Sequence, residues 1–154
     1  MNFKGKIVLF FATGAYVGNV PFAPGTFGSL LGLVVCFLLT TVPISVATII
    51  VVALILFSVW VSEHAEKMMG EKDPGSVVID EVAGMVVTMI GIPFGVVTAI
   101  TGFVLFRLLD IVKPPPVRFF QDDLAGGAGI VMDDVAAGII ANILLRVVCL
   151  VWGI

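Results

Sequence analysis

Ile44-Ser-Val-Ala-Thr-Ile-Ile-Val-Val-Ala-Leu-Ile-Leu-Phe-Ser-Val-Trp-Val-Ser62 runs without a charge and is followed at once by Glu63. A bilayer span needs about 20 such residues, so this stretch predicts a membrane helix ending at a polar face. Working outward, the same contrast repeats. Upstream, Gly28 to Thr40 is apolar, and the uncharged break Thr41-Val42-Pro43 joins it to Ile44. Downstream, Val82 to Gly91 is apolar, Ile92-Pro93 interrupts it, and Phe94 to Phe106 resumes. The last run, Val135 to Ile154, carries only Arg146. All eleven acidic residues fall within Glu63 to Glu81 or Asp110 to Asp134, which gathers the polar chemistry at one face.

If each run crosses a bilayer, the two proline breaks and the C-terminus share one side and carry no charge. Lys4, Lys6 and the two acidic loops share the other, together with every Lys and Arg except Arg146. The positive-inside rule makes that second side cytoplasmic. The expected fold is an all-α polytopic membrane bundle of about five helices with a short N-terminal helix, one domain over residues 1–154. The runs after Gly28 and Val82 are short, so those helices tilt, borrow flanking residues or enter partway as a hairpin packed on protein. The competing architecture is a soluble all-helical domain. A hydrophobic content of 60% and a mean hydropathy of +1.21 weigh against it.

Composition excludes several functions. A net charge of −3 with no basic stripe argues against nucleic acid. Cys36 and Cys149 lie inside apolar runs, where thiols act as small hydrophobes, so neither a disulfide nor a thiolate metal site is expected. Lys4 and Lys6 before Ile7 to Ala12 resemble a signal peptide, but the apolar part is too short; a helix at the membrane interface fits better. Trp60 and Trp152 close their runs, where indoles favour the headgroup level.

The polar face carries three clusters. Ala23-Pro-Gly-Thr-Phe-Gly-Ser29 is a glycine turn leading into a helix, whose free N–H groups suit a phosphate. Plain capping by Thr26 or Ser29 explains it too, and without a following Lys it is not a Walker loop. In the second, Asp80 and Glu81 stand side by side before an apolar helix, with Asp73 upstream. One carboxylate there complements the helix dipole; two repel unless a cation shares them. The third runs from Arg107 through Asp110, Lys113, Pro114-Pro-Pro116 and Arg118 to the Gly126-Gly127 turn and a second pair, Asp133-Asp134. Arg107 and Asp110, at i and i+3, suit a local ion pair. Lys113 and Arg118 suit a phosphate or anionic headgroups.

This many carboxylates with several cations on one face points to Mg²⁺, which takes oxygen ligands and keeps substrate phosphate in its shell. The implied chemistry is metal-assisted attack on a phosphate ester. His64, the one histidine, sits at a helix end as a solvated residue, so His-based nucleophilic catalysis lacks its parts.

Four motifs, Ala23-Pro-Gly-Thr-Phe-Gly-Ser29, Asp80-Glu-Val-Ala-Gly-Met85, Asp110-Ile-Val-Lys-Pro-Pro-Pro-Val-Arg118 and Gly126-Gly to Met132-Asp-Asp134, resemble in order those of the phosphatidylglycerophosphatase A family. The resemblance spans about Gly14 to Gly138. It implies an all-helical enzyme of the bacterial inner membrane that uses Mg²⁺ to remove the terminal phosphate of phosphatidylglycerophosphate, giving phosphatidylglycerol. The family's polar positions fall on Thr26, Asp80, Glu81, Asp110, Lys113, Arg118, Asp133 and Asp134, with Asp73 beside them. Leu109 departs from the Phe the family often carries there, a change of packing more than of chemistry.

Joined, the two readings give Asp80, Glu81, Asp133 and Asp134 to Mg²⁺, Lys113 and Arg118 to the charge of the phosphate, and Thr26 with nearby N–H groups to its cradle. Asp80, Glu81, Asp110, Asp133 and Asp134 form the expected catalytic set, with either a bound water attacking or Asp110 or Asp80 forming an aspartyl-phosphate. The expected partners are the phospholipid substrate and the membrane, with the site facing the cytoplasm. A small ion or solute transporter is the rival from another class, but its carboxylates belong deep within the runs. A CDP-alcohol phosphotransferase would need a spaced-aspartate motif beginning Asp-Gly, which is missing.

Overall fold

The structure is a computed structural model describing residues 3–115, 117–119 and 124–153. Pro116, Asp122, Asp123 and Ile154 lie outside the described residues. Among the described residues six α-helices of ten residues or more follow in order: α1 Phe3–Ala12, α2 Pro24–Leu39, α3 Ile44–Met69, α4 Ile79–Met89, α5 Val96–Val112 and α6 Gly127–Trp152, with a 3-10 turn at Val17–Asn19. Among the described residues there is no strand, so the all-helical expectation holds.

Local chemistry sets the helix ends. Pro24 occupies the first turn of α2, where a missing N–H costs nothing. Neither Thr26 nor Ser29 caps it: the preceding residue is Ala23 in a left-handed conformation (φ 47°), and the Ser29 hydroxyl donates to Gly25 O at 2.8 Å inside the helix. The breaks at Thr41 to Pro43 and Gly91 to Pro93 fall where the sequence places them. Gly70, left-handed at φ 69°, closes α3 with its N–H on Glu66 O. α6 begins earlier than expected, at Gly127 rather than near Asp133. The Glu63 carboxylate reaches across from α3 to accept the Gly127 N–H at 2.6 Å, satisfying a first-turn donor.

The helices alternate in direction. α2, α4 and α6 start at the polar end, and α3 and α5 finish there. α4 is the centre, with ten of its eleven residues buried. It is enclosed by α2, α5 and α6 and by core side chains including Phe106, Val131, Val135 and Leu145. Glycine permits this closeness. A Cβ on Gly84 would lie 2.6 Å from the Phe106 ring and 2.8 Å from Asp134 O, and one on Gly138 would lie 2.5 Å from Gly84 O. Small residues let helix axes approach in this way.

The far end of α4 is tied as well. Asn142 Nδ2 donates to Thr88 O at 2.8 Å, Ile90 O at 3.0 Å and Val87 O at 3.3 Å, and Arg146 donates to Ile90 O at 3.1 Å and Asn142 Oδ1 at 2.8 Å. The isolated charge of the last run thus finds a backbone carbonyl. Asn142→Leu would remove this donor from Val87 O and Thr88 O, leaving Ile90 O to Arg146, and a loss of about 2–4 kcal/mol is expected. A drop in unfolding temperature in detergent, with the exposed Ile143→Leu as the neutral control, checks this.

Among the described residues two helices are long and apolar enough to cross a membrane: α3 and α6, each of 26 residues, with mean hydropathy 2.8 and 2.2. α2, of 16 residues, is a shorter apolar helix. Outward faces are oily throughout, with Val34 and Phe37 on α2, Ile49, Val52 and Leu56 on α3, Ile100 and Val104 on α5, and Ile143, Val147 and Leu150 on α6 all exposed. An apolar surface of that extent marks contact with lipid or protein. Cys36 and Cys149 are buried and unbonded to each other.

Candidate active site

Because α4 and α6 start at the same end, the first turn of α4 lies beside the second turn of α6. Asp80, Glu81 and Asp134 meet there, each offering a carboxylate oxygen within 4.8 Å of the others. Asp80 Oδ1, Glu81 Oε2 and Asp134 Oδ2 are buried and accept no hydrogen bond among the described residues. Burial, and then the adjacent Glu81 carboxylate, push Asp80 well above the usual carboxylate range. Burial raises Glu81 too. Converging, desolvated and orphaned oxygens of this kind are costly unless a cation is shared. The donor set fits a hard divalent ion with oxygen ligands.

α5 brings the next residues. Arg107 and Asp110 share a face, with Nη1 2.5 Å from Asp110 Oδ2 and 3.9 Å from Glu81 Oε1. The expected pair therefore forms, and it also reaches the carboxylate cluster. Arg107 is a member of this cluster that the sequence reading did not place there. Its side chain is only 16% exposed, and its Nε is buried without a partner among the described residues. The available signal was that Arg107 is the lone charge between Glu81 and Asp110.

Lys113 ends α5 in a left-handed conformation, φ 45° and ψ 66°, with its N–H on Leu109 O. That turn, just before the prolines, swings the side chain towards α6, where Nζ lies 2.6 Å from Asp133 Oδ2. Burial works against the ammonium, and the Asp133 carboxylate, with Asp134 and Asp110 behind it, more than offsets that, so Lys113 stands above the ordinary lysine pKa. Asp133 is thus engaged with Lys113, and its other oxygen accepts the Asp134 N–H at 2.9 Å. Of the four carboxylates expected at a metal, three come together and Asp133 faces elsewhere.

The remaining expected residues lie around this centre. α2 presents its first turn, and Gly25 sits so close that a Cβ there would strike Glu81 Oε1 and lie 3.0 Å from Arg107 Nη1. Thr26 is half-buried on that turn, its N–H on Ala23 O at 3.0 Å. Arg118 is exposed, with its N–H on Pro114 O at 3.1 Å. Asp73 is exposed with φ 50°, and its charge is felt at Asp80. His64 is exposed, as expected of a solvated residue, with Nδ1 2.8 Å from Trp60 O.

Known proteins can be set beside this geometry. The family profile of phosphatidylglycerophosphatase A matches residues 10–149. Phosphatidylglycerophosphatase A of Escherichia coli K12 is 38% identical over 131 residues, 84% of this chain and 76% of that protein. The Haemophilus influenzae protein of the same name is 35% identical over 136 residues, 87% of this chain and 83% of that one. A Bacteroides thetaiotaomicron protein with the provisional name phosphatidylinositol-3-phosphatase is 38% identical over 149 residues, 92% of each chain. No solved structure matches. A match across nearly the whole chain, containing all four motifs and the helices that carry the carboxylates, is decisive: the chain belongs to the phosphatidylglycerophosphatase A family.

Proposed function

We propose that this chain hydrolyses the terminal phosphate monoester of phosphatidylglycerophosphate, releasing phosphatidylglycerol and inorganic phosphate at the cytoplasmic rim of a bacterial inner membrane. The observation that carries the reading is the buried meeting of Asp80, Glu81 and Asp134 with orphaned oxygens, beside two cations, at one end of an oily helical bundle. Asp80, Glu81 and Asp134 would hold Mg²⁺. The chemistry such an ion would supply there is screening of phosphate charge and acidification of a water. Lys113 and Arg118 neutralise the phosphate oxygens, and the Thr26 hydroxyl donates to one of them. Arg107 holds Asp110 beside the cluster, so Asp110 can take the proton of an attacking water or itself attack phosphorus. Both routes fit the placement of Asp110.

The membrane arrangement follows from helix lengths. At 1.5 Å per residue, α3 and α6 exceed the hydrocarbon thickness of about 30 Å, whereas α4 covers roughly half of it. We read α3 and α6 as full spans and α2 and α5 as shorter ones using flanking residues. α4 enters partway, its last carbonyls satisfied by Asn142 and Arg146. Diacylglycerol tails then stay in the bilayer while the headgroup reaches the rim.

The test is phosphate release by purified protein in mild detergent. Release from phosphatidylglycerophosphate is expected with Mg²⁺ and is expected to stop in EDTA. Phosphatidylinositol 3-phosphate serves as the second substrate, prompted by the name of the Bacteroides relative. Turnover of the inositide with none of phosphatidylglycerophosphate would move the assignment to that lipid. Full release in EDTA would remove the metal.

A further inference from the structure

We propose that Asp133 is a positioning residue: it holds the Lys113 ammonium in place for the substrate phosphate and does not ligate the metal. The inference rests on the phosphatase reading above and deepens it. Asp133 and Asp134 are adjacent, and neighbours on a helix point about 100° apart. Here Asp134 faces the cluster, while Asp133 faces Lys113 at the end of α5. Both oxygens of Asp133 are occupied, Oδ2 by Lys113 Nζ at 2.6 Å and Oδ1 by the Asp134 N–H at 2.9 Å. Each of the other three carboxylates keeps a buried oxygen with no hydrogen bond. A metal drawn to this end of the bundle meets oxygens with no hydrogen bond on those three and oxygens already hydrogen-bonded on Asp133.

Lys113 has the complementary need. Its four-carbon stem is flexible, and fixing such a chain on binding costs entropy. Here the cost is met in advance. The left-handed backbone at φ 45° aims the side chain, and Asp133, whose side chain is 4% exposed, fixes its tip. An ammonium has three N–H bonds, and Asp133 takes one. With the Lys113 side chain still 25% exposed, the others can reach an incoming anion. Charge-assisted bonds to phosphate oxygens are among the stronger polar contacts.

The experiment compares wild type, Asp133→Asn, Lys113→Met, the double variant and Asp134→Asn, all in detergent. Mn²⁺ binding is followed by electron paramagnetic resonance, the inhibition constant of inorganic phosphate by competition, and KM and kcat by phosphate release. Asp133→Asn is expected to leave Mn²⁺ affinity within about twofold while raising KM and the phosphate constant about tenfold. Lys113→Met should do the same, and the double variant should be no worse than either, because the pair acts as a unit. Asp134→Asn should lose Mn²⁺. Loss of Mn²⁺ in Asp133→Asn to the extent seen in Asp134→Asn would make Asp133 a ligand and overturn the inference. So would effects that multiply in the double variant. Wild-type protein binding neither Mn²⁺ nor phosphate would sink the phosphatase reading itself, and this inference with it.

Discussion

Asp80→Asn is expected to lower kcat/KM for phosphatidylglycerophosphate about a thousandfold or more while making the metal-free protein harder to unfold. The two effects share one cause. Asp80 is only 8% exposed and stands beside Glu81 and Asp134, so its charge is desolvated and repelled. An amide of the same shape removes that penalty but gives a metal a poorer ligand. Changes to groups that merely support a ligand already cost about 10–100-fold, and a ligand itself should cost more. Because burial raises the folded-state pKa of Asp80, its destabilising effect is absent below the unfolded carboxylate value of about 4 and grows as pH rises above it. In EDTA, Asp80→Asn should therefore unfold at a higher temperature than wild type near pH 7 and at the same temperature near pH 3. Retained turnover would remove Asp80 from the site. A lower unfolding temperature near neutral pH would show that the cluster is not strained without its cation.

Gly84→Leu is expected to abolish the fold rather than the chemistry alone. Its Cβ would fall 2.6 Å from the ring of Phe106, which is fully buried and has nowhere to move, and 2.8 Å from the carbonyl of Asp134. Relief requires α4 to leave α5 and α6, and overpacking of this kind costs about 3 kcal/mol or more. Little monodisperse protein in detergent is the expected result. Leu at Gly75, where an added Cβ meets nothing within 4 Å, is the control and should behave as wild type. Normal yield and activity from Gly84→Leu would show that the central helix is not gripped as described.

Much of this architecture could be read from residue order, because apolar helices announce themselves by what they lack. The runs without charge and the breaks at Thr41 to Pro43 and Gly91 to Pro93 located helices α2 to α5, but α3 continues to Met69 and α5 to Val112, past the charged residues where the acidic loops were expected to begin. Helix starts were harder. α6 begins at Gly127 because Glu63, far away in sequence, satisfies its first turn, and no local pattern reveals such a partner. Ser29 looked like a cap and instead bonds backward to Gly25 O. At the site, the doubled acids were visible as a chemical signature, but their division was not. Which of Asp133 and Asp134 faces the cluster depends on the rotation of α6 against α4. Gly84 and Gly138 set that rotation, and it appears only when the helices are placed together. Arg107 was hidden for a similar reason: its short-range partner Asp110 explained it fully until Glu81 came within 3.9 Å.

α6 meets α4 at both extremities, through Asp134 beside Asp80 and Glu81 and through Asn142 and Arg146 at Ile90. One helix therefore acts as a ruler for the other. Exchanging one side chain between those marks disturbs a local contact, whereas inserting or deleting a single residue shifts everything beyond it by about 1.5 Å and turns it by about 100°. Descendants of this sequence can drift in composition between Asp80 and Ile90 and between Asp134 and Arg146. Their spacing is held fixed, so length changes should accumulate only in the loops outside these two intervals.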